Sequence, residues 1–188
     1  GMWNAMTYLD WTTYFETLPA HIFDISLALE ADRRVNSRFD PQEVDLERSV
    51  VISEREGNEN QPRFLLGEAV QFAAFDQHPY RYEVIGLKED LEGMTRDDLY
   101  QHYRQYYHPG NAILAISGDF ETKSMLAKID EHFEPLPAGI QGKPSIEKER
   151  LGSDEKRVHI QGPGETSYVQ IAYHAPSASN SDFFDLTV

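Results

Sequence analysis

A chain of 188 residues with 40% hydrophobic residues, ten tyrosines and ten phenylalanines is globular in composition rather than disordered. Its net charge of −15 argues against a nucleic-acid partner or an anionic membrane surface, and no apolar run approaches the roughly 20 residues of a membrane helix. The absence of cysteine excludes disulfides, thiolate metal sites and a cysteine nucleophile.

The opening GMWNAMTY enters strand-like sequence at once, without a signal peptide, and its leading Gly looks like a cloning remnant. The chain is therefore expected to be cut from a longer one. Asn4 to Leu18 is rich in Thr, Tyr, Trp and Phe, is broken at Leu9-Asp10, and predicts a strand or a pair of strands ended by Pro19. Residues 20–35 predict a largely buried helix, with apolar side chains at 22, 23, 25, 27 and 29. At 39–60 a second helix is announced by Asp40 as cap, Pro41 at the first position and Glu43 three residues on, and is weakened near Gly57. Another starts after Pro62, and residues 78–93, without a steady period, predict a long ordered loop. Thr95 and Asp98 cap a helix striped by Leu99, Tyr103 and Tyr106. Residues 111–117 (NAILAIS) predict a central strand, and 121–133 an amphipathic helix. Three prolines and three glycines mark 134–155 as a linker. Two strands, 156–162 and 167–176, and the first turn of a helix at SDFFDL close the chain.

The stretch LERSVVISEREGNEN carries a conflict. At about 100° per residue, Glu54 falls about 20° from Glu47, with Val44, Val50 and Val51 within about 60°. Two acids thus share a face that looks built for burial, where an ionised carboxylate costs several kcal/mol unless compensated. One reading is that both are solvated, or pair with Arg48, Arg55 or another helix. The other is a metal site. Seven residues, about 10.5 Å of helix, separate the two acids, so one ligates and the other supports it.

This segment resembles the third-ligand segment of the pitrilysin/insulinase family of zinc metallopeptidases, which includes the mitochondrial processing peptidases. The resemblance extends through NAMTYLDWTTYF, LEADRRVNSRFD, HPYRYEVIG and YYHPGNAILAISGDF, in family order from Asn4 to about Pro137. YVQIAYHAPSASNSDFFDL looks like the opening of that family's second, homologous domain. The resemblance implies an α+β fold, a mostly antiparallel sheet packed on helices, lacking its first strands and its catalytic helix. Residues 1–137 would be the C-terminal part of a first peptidase domain, 138–155 a linker, and 156–188 the incomplete opening of a second.

The resemblance also implies zinc. In the family two His and a general-base Glu come from H-x-x-E-H, and a later Glu is the third ligand. The matching ligand here is Glu54, with Glu47 as the acid that supports it. The seven histidines, His21, His78, His102, His108, His132, His159 and His174, do not form that motif. The family places it about seventy-five residues before the ligand Glu, so the general base is expected upstream of Gly1. The full-length protein is then expected to be a zinc endopeptidase of peptides or small unfolded proteins. The chain alone is expected to hold no catalytic zinc and to be inactive. Asn4, Ala5 and Thr7 match the edge strand that pairs with the substrate main chain. Expected partners are a peptide or unfolded protein, a second homologous domain or subunit, and a second copy through open sheet edges. The alternative is a non-catalytic subunit of the same fold. His78-Pro79-Tyr80 is read as packing, and His102 and His108 flank a tyrosine-rich helix end. No nucleophile elbow, phosphate loop or dinucleotide fingerprint is present.

Overall fold

The computed structural model describes residues 1–139, 145–149, 152, 154–162 and 164–186. In chain order its elements are β1 (Met2–Thr7), β2 (Thr12–Thr17), α1 (Phe23–Val35), α2 (Pro41–Glu59), α3 (Pro62–Ala74), α4 (Lys88–Gly93), α5 (Arg96–Tyr106), α6 (Thr122–Phe133) and α7 (Asp182–Asp185). Single 3-10 turns stand at Ala20–Ile22, Pro79–Arg81 and Pro109–Asn111. The fold is helix-rich with a small antiparallel sheet, within the expected α+β class. Two compact units divide it: Gly1–Arg48 with Gly93–Pro144, and Ser49–Glu92 with Ser145–Val188. Helix α2 passes from one into the other.

In the first unit β1 and β2 form a hairpin, Thr7 opposite Thr12 and Met2 opposite Thr17. The Leu9-Asp10 break is its turn, closed by Tyr8 N–H donating to Trp11 O at 2.8 Å. Helix α1 packs on α6, and Leu27, Ala31, Tyr103 and Met125 are buried. The expectation of a largely buried α1 is corrected: Ile25 and Leu29 are exposed. Tyr103 ties the last turn of α1 to the residues that follow it. Its hydroxyl donates to Arg33 O at 2.8 Å and accepts from Ser37 N at 3.2 Å. The chain then turns at Phe39, a non-glycine residue at φ 52°, a conformation that ordinarily costs about 1–2 kcal/mol. Its ring lies 5.1 Å from that of Tyr103 and 6.0 Å from that of Tyr100, and Arg96 Nε donates to its carbonyl at 2.9 Å. The aromatic contacts and the charged donor hold the strained residue in place.

Helix α5 starts where Thr95 and Asp98 predict. The Thr95 hydroxyl accepts from Asp98 N–H at 3.2 Å, and the Asp98 carboxylate accepts from Thr95 N–H at 2.8 Å. The bonds from the Thr95 hydroxyl and backbone hold the Asp98 pKa below its ordinary value. A depressed pKa contributes stability that is present above the unfolded-state value and is lost as pH falls through the folded-state value. Thr95→Ala is expected to cost about 1 kcal/mol at neutral pH, and less once acid protonates Asp98. Urea melts at two pH values check this.

In the second unit α3 anchors the segment expected to be a loop. Gln71 Nε2 donates to Tyr80 O at 2.6 Å and Tyr82 O at 3.0 Å, and Arg81 lies 4.0 Å from the Phe72 ring centroid. Glu149 accepts from the backbone N–H of Gln77 and His78, and Lys156 pairs with Asp76 at 2.6 Å. Residues 88–93 are helical, which corrects the loop reading: six residues make fewer than two helical turns, too short to show a period.

The three expected strands at 111–117, 156–162 and 167–176 are not strands among the described residues. A strand needs a hydrogen-bonded neighbour, and the described sheet holds only β1 and β2. Ile113, Val169 and Tyr173 are 97%, 86% and 88% exposed. Part of the linker reading, 140–144, 150, 151 and 153, lies outside the described residues. No helix among the described residues is long and apolar enough to cross a membrane.

Candidate functional site

Glu47 and Glu54 both lie on α2, and both are exposed. The helical-wheel expectation of a buried valine face is corrected. Val44 is buried, but Val50 is 58% exposed. The buried stripe runs instead through Val44, Arg48, Val51, Ile52 and Arg55, spaced by three and four residues. The wheel was centred on the valines, whereas the neighbouring elements chose a stripe about 80–100° away from the two acids.

Neither arginine of the stretch pairs with them. Arg48 donates to Asp45 and to Met94 O, each within hydrogen-bond reach at 2.8 and 2.7 Å. Arg55 is 5% exposed and is taken up by Glu59, Glu68 and Gly86 O. Glu54 makes no hydrogen bond or ion pair among the described residues, and neither does Glu47. An exposed, unpaired carboxylate has its oxygens free to ligate. Zinc needs three protein donors. Among the described residues no group of three His, Cys, Asp or Glu could hold an ion. Glu54 is thus a free carboxylate, and among the described residues no further donors stand with it to make up a metal site.

Asn4, Ala5 and Thr7 share β1 and are exposed. In an antiparallel ladder hydrogen-bonded and non-bonded pairs alternate. With Tyr8 and Trp11 bonded, Ala5 and Thr7 fall in non-bonded pairs, and their backbone groups point to the outer edge of β1. No strand covers that edge among the described residues. Asn4 Oδ1 accepts the Ala5 N–H at 2.8 Å, so one edge donor already has a partner. A cleft of about 160 Å³ adjoins the hairpin, lined among others by Trp3, Asn4, Ala5, Glu16 and Arg33. Asn4 would have to release Ala5 before an added strand could pair there.

The histidines divide as packing elements. His78 Nδ1 accepts from Tyr80 N–H at 3.2 Å within a ring cluster of Phe75, Tyr80 and His174. Burial lowers the His102 pKa. His108 is buried with Nδ1 unpartnered among the described residues. In the same unit the Tyr14 and Tyr107 hydroxyls lie 3.0 Å apart, and burial followed by that bond raises the Tyr14 pKa.

The sequence offers Arg55 only as a partner for Glu47 or Glu54, and the structure gives it other partners. Its i,i+4 partner Glu59 was visible in the spacing, but Glu68 and Gly86 come from other elements.

The comparisons with known proteins agree on one lineage. The family described as peptidase M16 inactive domain matches residues 93–188. An uncharacterized zinc protease of Mycobacterium leprae is 34% identical over 137 residues, covering 71% of this chain and 30% of the relative. Zinc protease PqqE of Helicobacter pylori is 29% identical over 187 residues, covering 97% of this chain and 42% of the relative. A crystal structure of a protease from Helicobacter pylori superposes with TM-score 0.73 at 31% identity, covering 79% of this chain and 37% of that one. The chain thus spans less than half the length of these relatives.

Proposed function

We infer that this chain, which belongs to the peptidase M16 family, is part of a zinc-dependent endopeptidase acting on peptides or small unfolded proteins. The observation that carries the reading is Glu54. It is an exposed acid with no partner among the described residues, on a helix whose sequence resembles the family's third-ligand segment.

In this reading Glu54 supplies one of three protein donors, and the other two and the general base come from outside the described residues. When bound, the ion supplies Lewis acidity for the attack of water on a peptide carbonyl. Glu47, two turns earlier on the same helix, supports the charge of the site. The outer edge of β1 adds the substrate as a strand, so that Ala5 and Thr7 read main chain more than side chain. Asn4 exchanges its bond to Ala5 for one to the substrate. Residues 156–188 open the second homologous domain, which with the first encloses a flexible chain better than a folded one.

A second reading is a non-catalytic subunit of the same fold. It is favoured by the match of 93–188 to a domain described as inactive. The full-length protein decides between the two. As an enzyme it cleaves an unfolded polypeptide, a chelator stops the cleavage, and Glu54→Gln lowers both zinc content and kcat/KM by at least about 100-fold. As a non-catalytic subunit it cleaves nothing with or without added zinc.

A further inference from the structure

We infer that Arg55 is a positioning residue that fixes the carboxylate of Glu54 for metal binding; this rests on the proposed role of Glu54 as a ligand. The two residues are neighbours on α2 with opposite surroundings. Glu54 is exposed and unpaired among the described residues, while the Arg55 side chain is 6% exposed. Its guanidinium reaches three places. One terminal nitrogen donates to both oxygens of Glu68 on α3, at 2.8 and 3.0 Å. The other donates to Gly86 O at 2.5 Å, and Nε lies 3.0 Å from Glu59. The Phe64 ring centroid is 5.8 Å away.

One side chain thereby ties the C-terminal half of α2 to α3 and to the turn at Gly86. These contacts oppose a roll of the helix about its axis. The magnitude matters because a Glu carboxylate sits about 5–6 Å from that axis. A roll of about 10° moves it by about 1 Å, whereas a metal–oxygen distance tolerates about 0.2 Å. Stability alone is a poor reason for this arrangement, since a buried ion pair is often matched or bettered by well-packed apolar residues. A buried, multiply bonded cation one residue from an exposed acid instead supplies angular precision where a ligand needs it.

The test uses the full-length protein and zinc alone, titrated against a competing chelator. Wild type is compared with Glu54→Gln, Arg55→Lys and Glu68→Gln. Glu68→Gln leaves the arginine in place and serves if the lysine variant does not fold. The expected result is a loss of zinc affinity of about 10- to 100-fold in Arg55→Lys and Glu68→Gln, and at least as large in Glu54→Gln. The double variant Arg55→Lys with Glu68→Gln is expected to lose no more than the worse single variant, because both act through one link. Unchanged zinc affinity in both network variants, with Glu54→Gln impaired, overturns the role of Arg55 even if their melting temperatures fall. Unchanged affinity in Glu54→Gln, or no zinc binding by wild type, overturns the ligand reading and the positioning role with it.

Discussion

Arg55→Met is expected to lower the unfolding free energy by about 3 kcal/mol, near the lower end of the cost of breaking a buried pair by removing one partner. The methionine fills much of the aliphatic space but donates nothing. Glu68, 20% exposed at its side chain, loses both of its bonds to Arg55, and Gly86 O loses a charged donor. Burial opposes the charge on Arg55, but the bonds and charges of Glu68 and Glu59 outweigh it, so the pKa rises above its ordinary value. The guanidinium is thus a cation that its partners require. Partial exposure of Glu68 and Glu59 keeps the cost from the top of the range. Arg55→Met combined with Glu68→Leu is expected to recover much of the loss, because the less exposed of the two acids is then gone and only Glu59, 35% exposed at its side chain, is left without its partner. Urea denaturation of the single and double variants checks both statements. A cost below about 1 kcal/mol for the single variant would show that water replaces the network without penalty.

Gly139→Ala is the second large effect, expected at about 2–4 kcal/mol. Gly139 has φ 80°, in the left-handed region, and a Cβ there would overlap the ring of His108. That ring cannot simply retreat, because His108 is buried and Gly110 N–H donates to Ala138 O at 3.2 Å across the same contact. Gly86 supplies the control. Its φ is 82°, but nothing lies within 4 Å of its Cβ position. Gly86→Ala is therefore expected to cost only the backbone component, about 1 kcal/mol. Thermal melts of the two variants separate overlap from backbone strain. Equal losses would mean that the His108 contact costs nothing.

Legibility in the sequence followed the range of the interactions. The hairpin was readable because its aromatic and threonine residues flank a two-residue break, and Tyr8 and Trp11 close the turn locally. The start of α5 was readable because its cap is a three-residue device at Thr95 and Asp98. Residues 111–117 misled because an apolar, β-prone run states only that it suits a strand, not where a partner lies. Glu54 stands out in the sequence only through an ordered set of short resemblances, and helical periodicity around the valines misplaces the buried face of α2. A wheel sees one helix, and α2 is held by Arg55, which lies on the same buried stripe as Val44 and Val51 and reaches α3 and Gly86. Polar residues that bury by pairing across elements are invisible to hydrophobic periodicity.

The reading that this chain comes from a catalytic zinc peptidase is tested most directly by the coding sequence upstream of Gly1. The expected result is an uninterrupted frame encoding H-x-x-E-H before Glu54, at the spacing that the family resemblance implies. An intact frame in which those His and Glu positions hold other residues would contradict it, and would leave Glu47 and Glu54 as solvated acids on a non-catalytic subunit.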